Sequence, residues 1–345
     1  MKFILRSEAR PTERRTALTP KNAKAMIDAG FEIAVEHSTR RIFSDAEYAA
    51  AGCDILPEGT WETADKEVTI LGLKELPIAP PTLHAPFIHF AHLYKEQTGW
   101  KDEIARFADG GGRLYDLEYL SVAGRRVAAF GYWAGWMGAA LAAWRQLAAS
   151  LSESGPEAGV SSFESRTDVE SILQDLAQRG ESKTAVVIGA KGRSGQGATE
   201  ALKLAGYTVS EWDIAETQNL DRNALLSHDL LVNCVLMTGP GLLLLQPEDL
   251  GKGKLKMISD VSCDPFSDFN PLPIYSAPST WDAPFEALAG GVEITSIDNL
   301  PSLLPREASE DFSNQLLSTL LAYPDSEAWH AARASFDDAV TRANG

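Results

Sequence analysis

The sequence predicts an α/β protein of two domains, each built on a parallel sheet, and three observations carry the prediction. Strand and helix signals alternate from the N-terminus to residue 132, as they do where each strand feeds a covering helix. A second alternating series starts at Thr184. Its strands ("TAVVIG", "LLVNCVL", "KMISDVS") are apolar almost without a break, the pattern of strands covered on both faces. A chain of 345 residues also exceeds what one core usually organises, and an apolar share of 44% is enough to fill two.

Taken in order, "FIL" at residues 3–5 reads as a short strand. Thr19 has the hydroxyl of a helix N-cap and Pro20 suits the first helical position; Ala23, Met26 and Ile27 share one face, and Gly30 lies past the end. "FEIAVE" follows as a strand and "DAEYAAAG" as a short helix. The next strand opens "VTILGLKELP", residues 68–77: Val68, Ile70 and Leu71 are β-formers bounded by Gly72. Lys74 and Glu75 come where that strand would deliver its last side chains, and Pro77 stops it. A lysine there is either a surface residue whose stem lies along apolar neighbours or a desolvated catalytic amine. "FIHFA" and "GRLYDL" supply further strands. Residues 133–150, "WAGWMGAALAAWRQLAAS", carry small residues on several sides and read as a buried helix joining the two domains. "SESGPEAGVSSFES" after it is an exposed loop.

Composition excludes several classes. The chain has 31 Lys and Arg against 48 Asp and Glu, a net charge of −17, which argues against a nucleic-acid partner because phosphate binding needs a basic face. Cys53, Cys234 and Cys263 lie far apart without CxxC spacing, so neither a disulfide framework nor a structural zinc site is indicated. "MKFILRSEAR" has too short an apolar run for a signal peptide. The apolar run from Leu230 to Leu245 is broken by "TGPG" and cannot span a bilayer. The expectation is a soluble, cytoplasmic protein with neither membrane nor nucleic-acid partner.

"AVVIGAKGRSGQGATEAL" is the strongest nucleotide signal. A strand ends at Gly189 and a helix begins near Gly195; Gly189, Gly192 and Gly195 allow a tight turn and let the backbone approach a pyrophosphate at the helix N-terminus. The spacing is G-x-x-G-x-x-G rather than G-x-G-x-x-G, so the context has to support it. The next strand, "TVSEWD", does so by ending in Asp213. An acid there would accept from the adenosine ribose hydroxyls and repel a 2′-phosphate, favouring NAD over NADP. The plainer reading is a helix-turn glycine cluster followed by a surface aspartate. "HAPFIHFAHLYK" brings His84, His89 and His92 close in sequence, but no cysteine or tight carboxylate cluster completes a metal site, and no resident metal is expected. His92 with Lys95 is a candidate acid/base group. "PTERRTALTP" places Glu13, Arg14 and Arg15 before the first helix, as a solvated ion-pair cluster or as a guanidinium fork for a substrate carboxylate. Arg125 and Arg126 form a second pair before "VAAFGYW".

These motifs stand in one order along nearly the whole chain: "LRSEARPTERRTALTP", "GLKELP", "FAHLYKEQTGW", "LYDLEYL", "GRRVAAFG", "VIGAKGRSGQGA", "EWDIAET", "SDVSCDP" and "SIDNLPSLLPREAS". In them the chain resembles the NAD-dependent, lysine-forming saccharopine dehydrogenases of the fungal type, relatives of alanine dehydrogenase and transhydrogenase. The resemblance implies two Rossmann-like domains with parallel sheets flanking an active-site cleft. It implies acid/base catalysis by Lys74 and His92, and substrate binding by Arg15, Lys74, Gln97, Arg126, Phe130, Ser262, Cys263 and Asp264. For the cofactor it implies Gly192, Arg193, Asp213, Thr217, Arg125, Leu236, Val261, Ile297, Asp298, Asn299 and Leu300, beside Gly189 and Gly195. Lys191, Ser194 and Leu236 depart from the residues usual in the family.

The expected division is a substrate and catalytic domain over residues 1–132, to which 305–345 returns, and an NAD-binding domain over 133–304. The reaction the resemblance implies is oxidation of saccharopine by NAD to an imine, which water converts to L-lysine and 2-oxoglutarate. Arg15, Arg126 and Lys95 would be kept together for its three carboxylates. The rival readings are another amino-acid or opine dehydrogenase, which needs only one carboxylate site, and a non-catalytic NAD-binding protein.

Overall fold

Alternating strands and helices resolve into two six-stranded sheets and one two-stranded hairpin among the described residues of the computed structural model, which are 1–237, 239 and 241–345. Two members of the "TGPG" break, Thr238 and Pro240, lie outside the described residues. The chain divides into two units, Met1–Ala129 with Pro305–Gly345, and Phe130–Leu304.

The first unit runs β1 (Lys2–Leu5), α1 (Pro20–Asp28), β2 (Glu32–Glu36), α2 (Asp45–Ala50), β3 (Asp54–Leu56), β4 (Val68–Leu71), β5 (Pro86–His89), α3 (Trp100–Gly110), β6 (Arg113–Asp116), β7 (Ser121–Val122) and β8 (Arg125–Arg126). Strands β1 to β6 are all parallel, in the order β3-β2-β1-β4-β5-β6. The chain works outward from β1 to β3, then returns to the other side of β1 to lay down β4. Loops leaving β1 and β4 therefore diverge, and the crevice at their carboxyl ends is where ligands bind in sheets of this kind. Local chemistry fixes the elements. Thr19 accepts from the Asn22 N–H at 3.3 Å to cap α1, Pro20 opens it, Ala23 and Met26 are buried, and Gly30 leaves it at φ +93°. Ser44 and Glu47 cap α2 reciprocally. The β7–β8 hairpin turns on Ala123 and Gly124 at φ +49° and +73°, a pair of left-handed residues that matches the twist of its strands.

The second unit runs α4 (Gly131–Ser150), α5 (Arg166–Arg179), β9 (Thr184–Ile188), α6 (Arg193–Leu204), β10 (Thr208–Trp212), α7 (Ile214–Thr217), α8 (Arg222–Leu226), β11 (Leu230–Asn233), β12 (Met257–Asp260), β13 (Glu286–Leu288) and β14 (Val292–Thr295). Its sheet has the order β10-β9-β11-β12-β14-β13, parallel except for the edge strand β13, which runs antiparallel to β14. Here too the order reverses, between β9 and β11. The glycines of α4 are explained by its neighbour: a Cβ on Gly135 would stand 1.8 Å from the Ser194 carbonyl, and one on Gly197 of α6 would stand 2.1 Å from the Tyr132 carbonyl. The helix read from the sequence as a joint between domains lies wholly in this unit, packed on α6. It starts at Gly131, so the units divide at Ala129/Phe130 rather than at 132/133.

The chain ends in α9 (Pro305–Leu321) and α10 (Glu327–Asn344), both part of the first unit. Ser309 of α9 accepts from the Thr16 N–H at 2.9 Å, and Ser313 accepts from the Thr19 N–H at 3.1 Å. Trp329 of α10 is buried with its indole N–H on the Thr319 carbonyl at 2.8 Å. Phe336 meets Phe107 of α3 edge-on, within the core of this unit. Among the described residues no helix is long and apolar enough to cross a membrane.

Gly135→Ala tests the α4–α6 contact. Alanine gains about 1 kcal/mol of helix propensity over glycine, but overpacking costs about 1–3 kcal/mol, and the obstacle is backbone that cannot swing away. The variant is expected to melt at a lower temperature than wild type, as followed by circular dichroism, despite its better helix former.

Candidate active site

Beyond the ends of β1 and β4 the chain continues as two neighbouring stretches, Arg6 to Glu8 and Gly72 to Lys74. The Arg6 N–H still pairs with Leu71 C=O at 2.9 Å, and the Gly72 N–H with Ile88 C=O at 3.0 Å. Lys74 therefore stands past the strand, in the loop at the first sheet's switch point. Glu8 is buried there, and its carboxylate accepts from the Leu73 N–H at 2.7 Å, the Lys74 N–H at 3.0 Å and the Arg6 guanidinium at 3.1 Å. Arg6 also donates to the Lys74 carbonyl. Burial pushes the Lys74 amine below the ordinary lysine range, Arg15 and Arg10 push it further, and Glu13 and Glu75 oppose them. More of it is consequently free base at neutral pH than for an exposed lysine.

Arg15 is buried and pairs with Glu13. Its Nε donates to Glu13 Oε1 at 2.8 Å and its Nη2 to Oε2 at 2.6 Å, a two-pronged pair with both side chains buried. Burial alone would raise Glu13, but Arg15 and Lys74 carry it down to about 2. The Arg15 guanidinium, expected to meet a substrate carboxylate, holds the Glu13 carboxylate in this structure, and its charge acts on Lys74. Nor do Arg15, Arg126 and Lys95 share one anion, because the latter two meet at Glu118.

His92 follows β5 in the left-handed conformation, φ +57°, which costs a side chain on the order of 1–2 kcal/mol. Asp116, buried at the end of β6, holds it there by accepting the His92 N–H at 2.9 Å, and its other oxygen accepts the Glu118 N–H at 2.9 Å. The imidazole Nδ1 bonds Glu118, and the ring stacks on Phe90 at 5.9 Å. Glu118 also takes Lys95 at 3.1 Å and Arg126 at 3.4 Å. The Glu118 hydrogen bond raises His92 above the ordinary histidine value against the pull of burial, and His92 and Lys95 bring Glu118 down to about 2. The exposed Gln97 donates its amide to the His92 carbonyl. Arg125 neighbours Arg126 on β8, where alternation sends their side chains to opposite faces. His84 bonds the Gly110 carbonyl, and His89 is buried and held far below the ordinary value by burial and by Arg6. Among the described residues no group of three or more His, Cys, Asp or Glu side chains converges as metal ligands.

In the second unit the glycine loop lies at the carboxyl ends of β9 and β11, that sheet's switch point. Gly189 turns at φ +76° with its N–H on the Trp212 carbonyl at 2.8 Å, and a Cβ there would meet Val235 Cγ2 at 2.7 Å. A Cβ on Gly195 would stand 2.2 Å from the Gly189 carbonyl, so the loop closes only on glycine. Gly192 precedes α6 and Arg193 is its exposed first residue. The first N–H groups of that helix are the ones no intrahelical carbonyl takes. Asp213, after β10, accepts from the Lys191 N–H at 3.1 Å and the Ile214 N–H at 2.9 Å, and the Thr217 hydroxyl donates to its carbonyl at 2.8 Å. This glycine cradle at a helix start, with an acid beside it, fits a dinucleotide.

The other residues implied by the resemblance also fall on the second unit. Leu236 is exposed beyond β11. Val261 Cγ2 and Leu300 Cδ1 fill the space a Cβ on Gly138 would need, at 2.9 and 3.0 Å. Ser262 donates to Asp260 Oδ1 at 2.6 Å, and Tyr275 donates to Asp260 Oδ2 at 2.7 Å. Cys263 is left-handed at φ +48°, and its thiol lies on the Ser296 carbonyl; burial and the Asp298, Asp260 and Asp264 charges push it up to about 12, so it stays a thiol at neutral pH. Asp264 is half-buried, Ile297 buried and Asp298 exposed; Asn299 donates to the Ser302 hydroxyl, and Phe130 precedes α4. Sequence reasoning missed Arg6, Glu8, Asp116 and Glu118. Only "SEA" and "YDLE" stood for the acids, and neither carries a spacing signal.

Residues 4–137 match the family model "Alanine dehydrogenase/PNT, N-terminal domain". A saccharopine dehydrogenase (NAD(+), L-lysine-forming) of Yarrowia lipolytica is 42% identical over 364 residues, 99% of this chain and 98% of its own. The protein of the same name from Neurospora crassa is 41% identical over 360 residues, 97% of this chain and 95% of its own. The chain belongs to this saccharopine dehydrogenase family. Among solved structures, an L-alanine dehydrogenase superposes with a TM-score of 0.68 at 17% identity, over 99% of this chain and 94% of that one. A transhydrogenase from Sinorhizobium meliloti gives 0.64 at 18%, over 93% and 94%. Both likenesses speak to the fold, which is α/β with two Rossmann-like domains.

Glu118→Gln removes the main influence raising His92. Its protonation midpoint, followed by NMR of the ring protons, is expected to fall to the ordinary 6.5 or below. Glu118, lowered on folding, adds stability above its ordinary 4.5 that fades as pH falls toward about 2. His92, raised on folding, adds stability below 6.5 that fades as pH rises through its folded value. The melting-temperature gap between wild type and variant should thus be widest between 4.5 and 6.5, shrinking on both sides.

Proposed function

We propose that this chain is an NAD-dependent saccharopine dehydrogenase that forms L-lysine and 2-oxoglutarate from saccharopine, reversibly, in lysine biosynthesis by the aminoadipate route. The observation that carries the reading is the first unit's switch point: a lysine amine held low in pKa, with a carboxylate-paired histidine beyond the adjacent strand, in a family named for this reaction. Under this reading the first unit is the substrate and catalytic domain, and the second holds the cofactor by Gly189, Gly192, Arg193, Gly195, Asp213 and Thr217. NAD, when bound, supplies the acceptor for the hydride leaving the glutamyl Cα. His92 takes the proton of the secondary amine, which it can do once pH exceeds its raised pKa. Lys74, as free base, accepts a proton from the water that adds to the imine carbon, passes it to the nitrogen to give the carbinolamine, and then accepts the hydroxyl proton as the C–N bond breaks. His92 then protonates the departing lysine nitrogen. Arg126 and Lys95, which pair with Glu118, and Gln97, on the His92 carbonyl, are the proposed ligands of substrate carboxylates in this unit. The three free cysteines accord with a reducing cytoplasm.

The deciding assay is NADH oxidation with L-lysine and 2-oxoglutarate. Turnover with both, little with pyruvate or without lysine, supports the reading; equal use of pyruvate overturns it in favour of an alanine-type or broader opine dehydrogenase. Lys74→Met is expected to keep NADH binding and lower kcat by at least ~10²-fold, the usual share of an acid/base group. Asp213→Ser is expected to raise kcat/KM with NADPH relative to NADH, since an anion next to the ribose is removed; unchanged selectivity takes the cofactor-choosing role away from Asp213.

A further inference from the structure

The geometry points to the buried Arg6–Glu8 pair as a positioning device for Lys74: it grips the backbone of this residue on both sides and holds the amine among the charges that keep it reactive. The inference rests on the reading of Lys74 as the working amine. Arg6 and Glu8 are 2% and 7% exposed at the carboxyl end of β1. Two charges removed from water are costly unless they serve several partners, and these do. Glu8 takes the N–H groups of Leu73 and Lys74 at 2.7 and 3.0 Å, while Arg6, bonded to Glu8 at 3.1 Å, donates to the Lys74 carbonyl and to the Ser7 carbonyl at 2.9 Å. Both polar groups of the Lys74 backbone are therefore fixed by one ion pair from another strand. Such a grip leaves the side chain only its own torsions to explore.

A second observation is independent of these bonds. The Arg6 side chain lies flat over Gly72, where an added Cβ would stand 2.5 Å from Nε and 3.1 Å from Cγ and Cζ. Gly72 has no positive φ and no turn that demands glycine; the room it leaves is occupied by the arginine. The sequence before Lys74 is shaped to admit Arg6, as the sequence after β1 is shaped to supply it. Around the amine stand Arg10, Glu13, Arg15 and Glu75. Glu13 is itself bound to Arg15 and Arg10 pairs with Glu75 at 2.8 Å, so burial and the position of the amine relative to two ion pairs together set its basicity.

Two variants test the device without touching the amine. Glu8→Gln removes the carboxylate, and Gly72→Ala displaces Arg6 while leaving every charge in place. The readout is the titration of the Lys74 amine, followed by 13C NMR after reductive methylation and assigned by its loss in Lys74→Met. A loosened amine swings toward water, so its pKa rises toward the ordinary 10.5 in both variants. Direct loss of a nearby negative charge would instead lower it in Glu8→Gln and leave Gly72→Ala unchanged. A rise in both, with kcat down on the order of 10–100-fold and NADH affinity kept, is the expected result. A fall or no change in Gly72→Ala overturns the inference, whatever Glu8→Gln does, and still decides if Glu8→Gln does not fold. Because the titration needs no substrate, failure of the lysine and 2-oxoglutarate assay in wild type would count against the proposed reaction while the titration still judges the device. In the Lys74→Met background, adding Gly72→Ala should lower kcat no further; an undiminished second loss would assign the pair a merely structural role and overturn the inference.

Discussion

Where a strand of a parallel sheet ends, its loop carries backbone N–H groups that no neighbouring strand accepts, and at buried loop starts this protein answers them with carboxylates. Glu8 serves the loop after β4, Asp116 the loops after β5 and β6, Asp213 the glycine loop after β9, and Asp260 the Ser262 N–H after β12. Glu36 does the same for Ser7 and Trp61 at 2.9 and 2.8 Å. A buried backbone group left unpaired costs as much as a lost hydrogen bond, so these loops have one shape only while their acids are in place. Lys74 and His92 inherit their positions from such acids, Glu8 and Asp116, both far away in sequence.

The same acids set the electrostatics. A net charge of −17 would by itself make a poor receptor for polycarboxylates, yet the first unit gathers Arg6, Arg10, Arg15, Lys74, Lys95 and Arg126 around its strand ends. Internal carboxylates keep these cations from repelling one another apart. Glu13 and Glu118, each brought down to about 2, remain charged through the physiological range, and each pushes its neighbour, Lys74 or His92, upward. Arg15 beside Glu13 favours the neutral amine of Lys74, whereas Glu118 favours the charged imidazole of His92. Two groups of widely different ordinary pKa are thereby drawn toward each other.

Much of this was legible in the sequence. Cap residues and apolar alternation gave α1, α2 and the strands β1, β2, β4, β5, β6 and β9 to β12, because those signals are local. The three-residue β3 is an edge with two exposed positions and no pattern to read. Helices α3 and α5 also carry a local signal: Trp100, Ile104 and Phe107, and Val169, Leu173 and Leu176, are buried at helical spacing. The motifs singled out Lys74, His92 and the glycine loop, since each sits at a strand end where the pattern breaks. Glu8 and Asp116 could not be found this way. A carboxylate that takes N–H groups some 65 residues distant leaves no mark beside itself.

The pairing of residues 16 and 19 with 309 and 313 has a consequence for how the protein comes into being. The segment that carries Arg15 leaves the ribosome well before the helix that fastens it, with the whole of the second unit made in between. During that interval the second unit has all of its strands and can close its sheet, while the first waits with its helical flank uncovered and an apolar face open to chaperones or to neighbouring nascent chains. The glycine loop of the second unit can thus close before the surroundings of Arg15 and Lys74 are complete, and the first unit reaches its final packing in one late event, when α9 and α10 dock.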